Sequence, residues 1–195
     1  MKFHIKSFAL YISYPCLALV SLLICGNLFT DYLLCFFAVV LHELGHVLMM
    51  KLRGVKICGI SISAFDIRII ERGRYSLGFS SDLLVTLSGP FANILLFLVF
   101  CDFSFEFAVI NLFLGLYNLL PAAGLDGGQM LFLILSKRFS PAKSAFITDV
   151  VTVVISVPMF IVGLAILFYS KYNFSMLFIS LYLILTVFLK EDKYL

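Results

Sequence analysis

The chain has 195 residues, 63% of them apolar and only 13% charged, and its mean hydropathy of +1.12 lies far above that of soluble domains. Membrane spans of about 20 residues each use up a chain of this size, so a single membrane-embedded domain over residues 1–195 is expected. The net charge of +3 does not point to nucleic acid, because Lys and Arg sit in short clusters between apolar runs, as in loops facing a negative cytoplasmic leaflet.

In chain order, Lys2 and Lys6 precede an apolar run from Ala9 to Cys25, which is too long for the apolar part of a signal peptide. Cys25 follows Leu22, Leu23 and Ile24, so the small residue that precedes a lipoprotein-type cysteine is missing, and a retained first span is expected. Further runs extend from Tyr32 to Leu52, Leu83 to Cys101, Phe107 to Leu120, Ile147 to Tyr169 and Phe174 to Leu189. The fourth is interrupted by Pro121-Ala122-Ala123-Gly124 and Gly127-Gly128 and resumes from Gln129 to Leu135. Such a break at membrane depth is tolerated only against protein or a water-filled cavity.

The expected fold is an all-α polytopic membrane protein of about six spans with a broken fourth helix. With both termini cytoplasmic, every Lys and Arg except Lys171 falls on the inner side, which favours that orientation in the cell membrane. Between the second and third spans, Ile60, Ile62, Phe65, Ile67 and Ile69 nearly alternate with Ser61, Ser63, Asp66 and Arg68. That period near two predicts a small cytoplasmic β-hairpin, with Glu71-Arg72-Gly73-Arg74 as a turn. The five cysteines form no Cys-x-x-Cys pair and at least three lie in apolar runs, so they read as packing residues.

Two of the three histidines form His42-Glu43-Leu44-Gly45-His46 on the second span. On a helix, positions i and i+4 share a face, so both imidazoles can reach one tetrahedral zinc ion while Glu43 stands beside it as the base for a metal-bound water. An ionisable group at the centre of a span costs about 2.5–3.5 kcal/mol, which makes an idle cluster there hard to keep. Two histidines leave the metal one protein ligand short. Among Asp31, Asp82, Asp102, Glu106, Asp126 and Asp149, only Asp126 follows a break within a span; the others lie at span ends, where charge is ordinary. An isolated Asp-Gly-Gly reads as a turn. Opposite a two-histidine site inside a membrane, Asp126 becomes the expected third ligand.

These residues, with Ser88-Gly89-Pro90-Phe91-Ala92-Asn93 opening the third span and Asn118-Leu119-Leu120-Pro121 before Leu125-Asp126-Gly127-Gly128, resemble the site-2 protease family of intramembrane zinc metalloproteases, peptidase family M50. The six-span layout and the short basic hairpin most resemble its stage IV sporulation branch, which cleaves a sigma-factor precursor. The resemblance implies zinc held by His42, His46 and Asp126, and a loop in which Asn118 and Pro121 help to hold substrate. The branch's second loop proline, two residues before the aspartate, is Gly124 here, a departure that bears on the rigidity of the loop. The appended nucleotide-sensing or PDZ domain of larger relatives has no counterpart, so control is expected from membrane partner proteins or from substrate supply.

Catalysis would then be peptide hydrolysis near the cytoplasmic face, on a membrane protein or membrane-tethered substrate that pairs with the strand region as an added strand. Two rival classes use the same ligands. A metal-ion transporter calls for further polar stations along the spans, and the spans offer few. An inactive client-binding pseudoprotease has no use for Glu43. A serine intramembrane protease lacks support, because no Gly-x-Ser-x-Gly occurs and the histidines beyond His4 are already paired.

Overall fold

The computed structural model describes residues 2–5, 8–12, 29–62, 67–72, 77–170 and 173–188. In chain order these form β1 (Lys2–Ile5), β2 (Phe8–Ile12), α1 (Phe29–Leu52), β3 (Lys56–Ile62), β4 (Ile67–Arg72), α2 (Phe79–Phe100), α3 (Phe105–Asn118), α4 (Asp126–Leu135), α5 (Pro141–Ser170) and α6 (Ser175–Phe188). The chain divides into two compact units, Met1–Leu116 and Tyr117–Leu195. Among the described residues, three helices, Leu33–Leu52, Phe79–Phe100 and Pro141–Ser170, are long and apolar enough to cross a membrane, while α3, α4 and α6 are shorter apolar helices. The expected break in the fourth run is present, since α3 ends at Asn118 and α4 begins at Asp126. Its second half starts at Asp126 rather than Gln129, so Asp126-Gly127-Gly128 forms the first turn of a helix instead of a free turn.

In the first unit, α1 presents Ala38, His42, His46 and Met50 inward at steps of four residues, while Phe37, Leu44 and Leu48 on the other side are exposed. On α2 the buried residues are Val85, Thr86, Gly89, Pro90 and Asn93; on α3 they are Phe107, Ala108, Asn111 and Gly115. Polar and small residues therefore point inward and large apolar ones outward, the reverse of a water-soluble bundle. Lipid explains this, because tails solvate Leu and Phe as well as a core does and helix association then rests on close approach of small residues. A Cβ on Gly45 would stand 2.6 Å from the Ser88 carbonyl oxygen, which shows how closely α1 and α2 approach. Met50, Val55 and Val85, with Met49, Ile69 and Leu77 around them, close the end of this unit against the sheet.

The expected hairpin is part of a larger sheet, ordered β1-β2-β3-β4. β3 and β4 pair antiparallel with Ile60 opposite Ile69, and a bulge falls between Ile57 and Gly59. Glu71 and Arg72 continue β4 rather than turning, because they pair with Ile57 and Lys56. β2 runs parallel to β3 with Leu10 opposite Ile60, and β1 closes antiparallel on β2. The expected first span from Ala9 to Cys25 thus loses its opening residues to a strand: Phe8–Ile12 is an apolar, aromatic-rich run that suits either a helix or a strand, and a partner strand far away in sequence decides it. The rest of that run lies outside the described residues.

The second unit is built on α5 and α6. α5 buries Ser144, Thr148, Thr152 and Ser156 along one stripe, and Gly163 admits the backbone of α6 near Leu177, where a Cβ would lie 2.9 Å from the Leu177 nitrogen. Ala122, Leu125 and Leu183 form its core, with Tyr117, Leu120 and Met159 around them, so the segment leading into α4 is itself interior.

Candidate metal centre

His42 and His46 are both buried on α1, as the i, i+4 spacing requires, and their Nε2 atoms face each other 3.3 Å apart. The opposite ring nitrogens are engaged. His46 Nδ1 lies 2.8 Å from the Val85 carbonyl oxygen on α2, and because a carbonyl only accepts, that nitrogen carries the proton.

The proton on His42 follows from a longer chain of bonds that starts at another backbone carbonyl. Phe107 O accepts from Asn111 Nδ2 at 2.8 Å, which turns Asn111 Oδ1 toward Asn93. Asn93 Nδ2 donates to that oxygen at 2.8 Å and to Ala38 O at 3.4 Å, leaving Asn93 Oδ1 to accept from His42 Nδ1. Both imidazoles therefore carry a proton on Nδ1, and in their neutral forms their Nε2 lone pairs face each other across 3.3 Å. Without a cation such a contact is repulsive. This donor set fits a metal ion, because hydrogen bonds through the outer nitrogen hold the ligating rings in place and in the required tautomer.

Room for the two rings comes from Gly89. A Cβ there would stand 2.7 Å from His42 Nε2 and would overlap His46 Nε2 more severely still. Pro90 follows it inside α2 and is buried. Within Ser88-Gly89-Pro90-Phe91-Ala92-Asn93, two residues thus have distinct physical tasks: Gly89 makes space and Asn93 orients His42. Neither was singled out from the sequence as a site residue, and Asn111, fully buried on α3, gave no sequence signal beyond being a polar residue in an apolar run.

Asn93→Ala is expected to lower zinc affinity by about 10- to 100-fold, since removing an outer hydrogen-bond partner of a ligating histidine has effects of that size. Chelator competition on the purified variant checks it.

Glu43 is half-buried on α1, one residue after His42. Of the remaining expected site residues, Asn118 ends α3, Pro121 lies in the following loop, and Asp126 opens α4. All three are half-buried members of the second unit. The glycines after Asp126 are required by backbone proximity: a Cβ on Gly127 would strike the Leu119 and Leu120 carbonyls, and one on Gly128 the Ala122 carbonyl. The loop of residues 119–125 folds back onto the first turn of α4, and only glycine at both positions admits it. An aspartate in that turn also suits the positive end of the helix dipole.

A buried pair of histidines on a His-Glu-x-x-His helix, within a scaffold of helices apolar enough to cross a membrane, is the donor pattern of a zinc site of the zincin motif type. Comparison with known proteins sharpens that class. Residues 100–162 match peptidase family M50, a stretch that includes Asp126 but not the histidine motif. A zinc metalloprotease of Methanocaldococcus jannaschii is 35% identical over 128 residues, covering 58% of this chain and 36% of the relative. A putative zinc metalloprotease of Synechocystis is 32% identical over 117 residues, covering 51% of this chain and 29% of the relative. The chain thus spans about a third of the length of the curated relatives it matches. The solved site-2 protease from Methanocaldococcus jannaschii superposes with a TM-score of 0.69 at 23% identity, covering 97% of this chain and 94% of that one, so the two share a fold. The chain thus shares the fold of that site-2 protease, and its residues 100–162 resemble peptidase family M50.

Proposed function

We propose that the chain is a zinc-dependent intramembrane endopeptidase, with His42, His46 and Asp126 as metal ligands and Glu43 as the general base. The observation that carries this reading is the pair of buried imidazoles, each protonated at Nδ1, with their Nε2 lone pairs converging. Asp126 enters as the third ligand from its place at the break in an apolar run, followed by two glycines that fix the turn it opens. The metal-ion transporter and the inactive client-binder receive no support from the relatives, both of which are described as zinc metalloproteases.

Bound zinc would supply the Lewis acidity that brings a water toward neutral pKa and polarises the scissile carbonyl. Glu43 takes the proton from the attacking water and returns it to the leaving amine, so one carboxylate serves as base and then as acid. Asn93 and the Val85 carbonyl hold the histidine rings throughout. Asn118 and Pro121, at the end of α3 and in the loop before α4, are the residues to which the resemblance to the sporulation branch gives the task of holding substrate.

A helical substrate hides its carbonyls in its own hydrogen bonds, so the scissile stretch must unwind and find new partners. β3 is paired on both sides, so Ile60 and Ile62 do not lie on an edge; β1 and β4 are each paired on one side only among the described residues, and of the two it is β4 that belongs to the Ile60 to Ile69 region expected to take up substrate. β4 is therefore the template for an added strand. Proline removes a backbone donor, and successive donors in a strand alternate in direction, so of Ile69→Pro and Ile70→Pro one is expected to lose substrate crosslinking while both retain zinc. Unchanged crosslinking in both excludes β4 as the docking edge.

The substrate class is a membrane-protein or membrane-tethered protein, of which a sigma-factor precursor is the case implied by the resemblance to the sporulation branch. The membrane orientation has support from the sheet: β2 and β3 are hydrogen-bonded neighbours, so the N-terminal strands and the basic β4 lie on the same side of the membrane. With the positive-inside bias of Lys and Arg, that side is cytoplasmic. Reporter fusions at Arg72, Arg138 and the C-terminus are expected to read cytoplasmic, and those near Asn27, Asp102 and Tyr172 external. A cytoplasmic signal at Asp102 would overturn this span order.

A further inference from the structure

The proline that the related branch carries two residues before the aspartate is Gly124 in this chain, and the backbone there shows why it is absent. Gly124 has φ of +90°, a left-handed conformation, whereas a proline ring holds φ near −65°. This loop therefore cannot be stiffened by proline at that position. It is held in another way.

The two peptide groups that flank the Ala123 Cα are held from two helices. The Ala123 N–H donates to Thr152 Oγ1 of α5 at 2.7 Å. The Ala123 carbonyl accepts from Thr186 Oγ1 of α6 at 3.1 Å. Thr152 is fully buried and passes its own proton to the Thr148 carbonyl at 2.7 Å, so its oxygen is oriented to receive the Ala123 N–H. The Thr186 hydroxyl also lies 2.7 Å from the Leu183 carbonyl, so its proton is shared between two acceptors and its hold on Ala123 is the weaker of the two. Two residues, Gly124 and Leu125, separate Ala123 from Asp126. Gly124 supplies the reversal, and buried Leu125 bonds back to Ala122 O at 3.1 Å before α4 begins.

We infer that Thr152 and Thr186 are positioning residues: by holding the N–H and the carbonyl of Ala123 from α5 and α6, they aim the Asp126 carboxylate. The inference rests on the reading of Asp126 as a zinc ligand. It gives the two C-terminal helices a role in metal binding although neither supplies a ligand. An aimed carboxylate loses less freedom on binding, so release of the loop lowers affinity without removing any ligand atom.

The test measures zinc affinity of the detergent-solubilised full chain by chelator competition, beside thermal unfolding of the zinc-free protein. Thr152→Val, which keeps the shape and removes the acceptor, is expected to weaken zinc binding about 10-fold or more, Thr186→Val by less, and Thr152→Ser to stay close to the parent. In an Asp126→Ala background, Thr152→Val is expected to have no further effect on zinc affinity, because the group it aims is gone. A purely structural role would instead lower the unfolding temperature and weaken zinc equally in both backgrounds, and that result overturns the inference. Parent-like affinity for both valine variants, with Asp126→Ala still impaired, overturns it while leaving the ligand assignment standing. Parent-like affinity of Asp126→Ala overturns the ligand assignment itself. Should Thr152→Val fail to fold, the half-buried Thr186→Val, alone and with Asp126→Ala, carries the same comparison.

Discussion

Glu43→Gln is expected to abolish detectable cleavage while leaving zinc content and thermal stability at parental levels. The substitution preserves shape and hydrogen-bonding capacity but removes the only group proposed to accept the proton from the attacking water. General acid-base participation is worth about 10²–10⁴ in rate, and here one carboxylate serves in both directions of transfer, so the upper end applies. The histidine rings keep their hydrogen bonds to Asn93 and to the Val85 carbonyl on α2, which the substitution does not alter. The measurement is turnover of a co-reconstituted membrane substrate, with zinc determined on the same sample. Residual turnover within a few-fold of the parent would remove Glu43 from the mechanism. Loss of zinc with loss of turnover would instead make Glu43 part of the metal site's support.

Gly89→Ala is expected to be nearly as damaging, although it adds a single methyl group. That methyl would occupy the space of both Nε2 atoms, including a position 2.7 Å from His42 Nε2. The rings cannot turn away freely, since His42 is bonded to Asn93 and His46 to Val85, and Gly45 already brings α1 against the Ser88 carbonyl. Relief requires α1 and α2 to separate or the rings to leave their partners, and overpacking of this kind costs about 1–3 kcal/mol. Either route displaces the ligating atoms, so zinc affinity is expected to fall by about 100-fold or more with a lowered unfolding temperature. Gly78→Ala, at a glycine with open space around its Cβ position, serves as the comparison and is expected to change neither.

Much of this site was legible in the sequence because its chemistry is local. His42 and His46 are four residues apart, which places them on one helix face whatever the rest of the chain does, and the apolar context makes an idle polar cluster costly. From Tyr32 onward the helix positions were legible as well, because the apolar runs there follow one another without a partner strand to compete for them. What could not be read depends on contacts between residues far apart in sequence. Asn93 stands 51 positions from His42, and its orientation is settled only by Asn111 and a carbonyl on a third helix. The glycine at 89 looks like a helix-packing residue until the two imidazoles are seen beside it. Strand β2 was hidden in an apolar run that suits a helix equally well, and only its pairing with β3 decides the matter. Gly124 looked like a loss of stiffness, whereas the hydroxyls that hold the loop lie 29 and 63 positions from Ala123.

The claim on which all of this turns is that the chain holds one zinc ion through two histidines and an aspartate. Metal analysis of the intact protein beside Asp126→Ala and His46→Ala, after equal exposure to buffered zinc, tests it most directly. About one zinc per chain is expected in the parent, with affinity reduced by an order of magnitude or more in each variant. Full zinc occupancy in Asp126→Ala at the parent's affinity, or no zinc in a folded parent, would contradict the account.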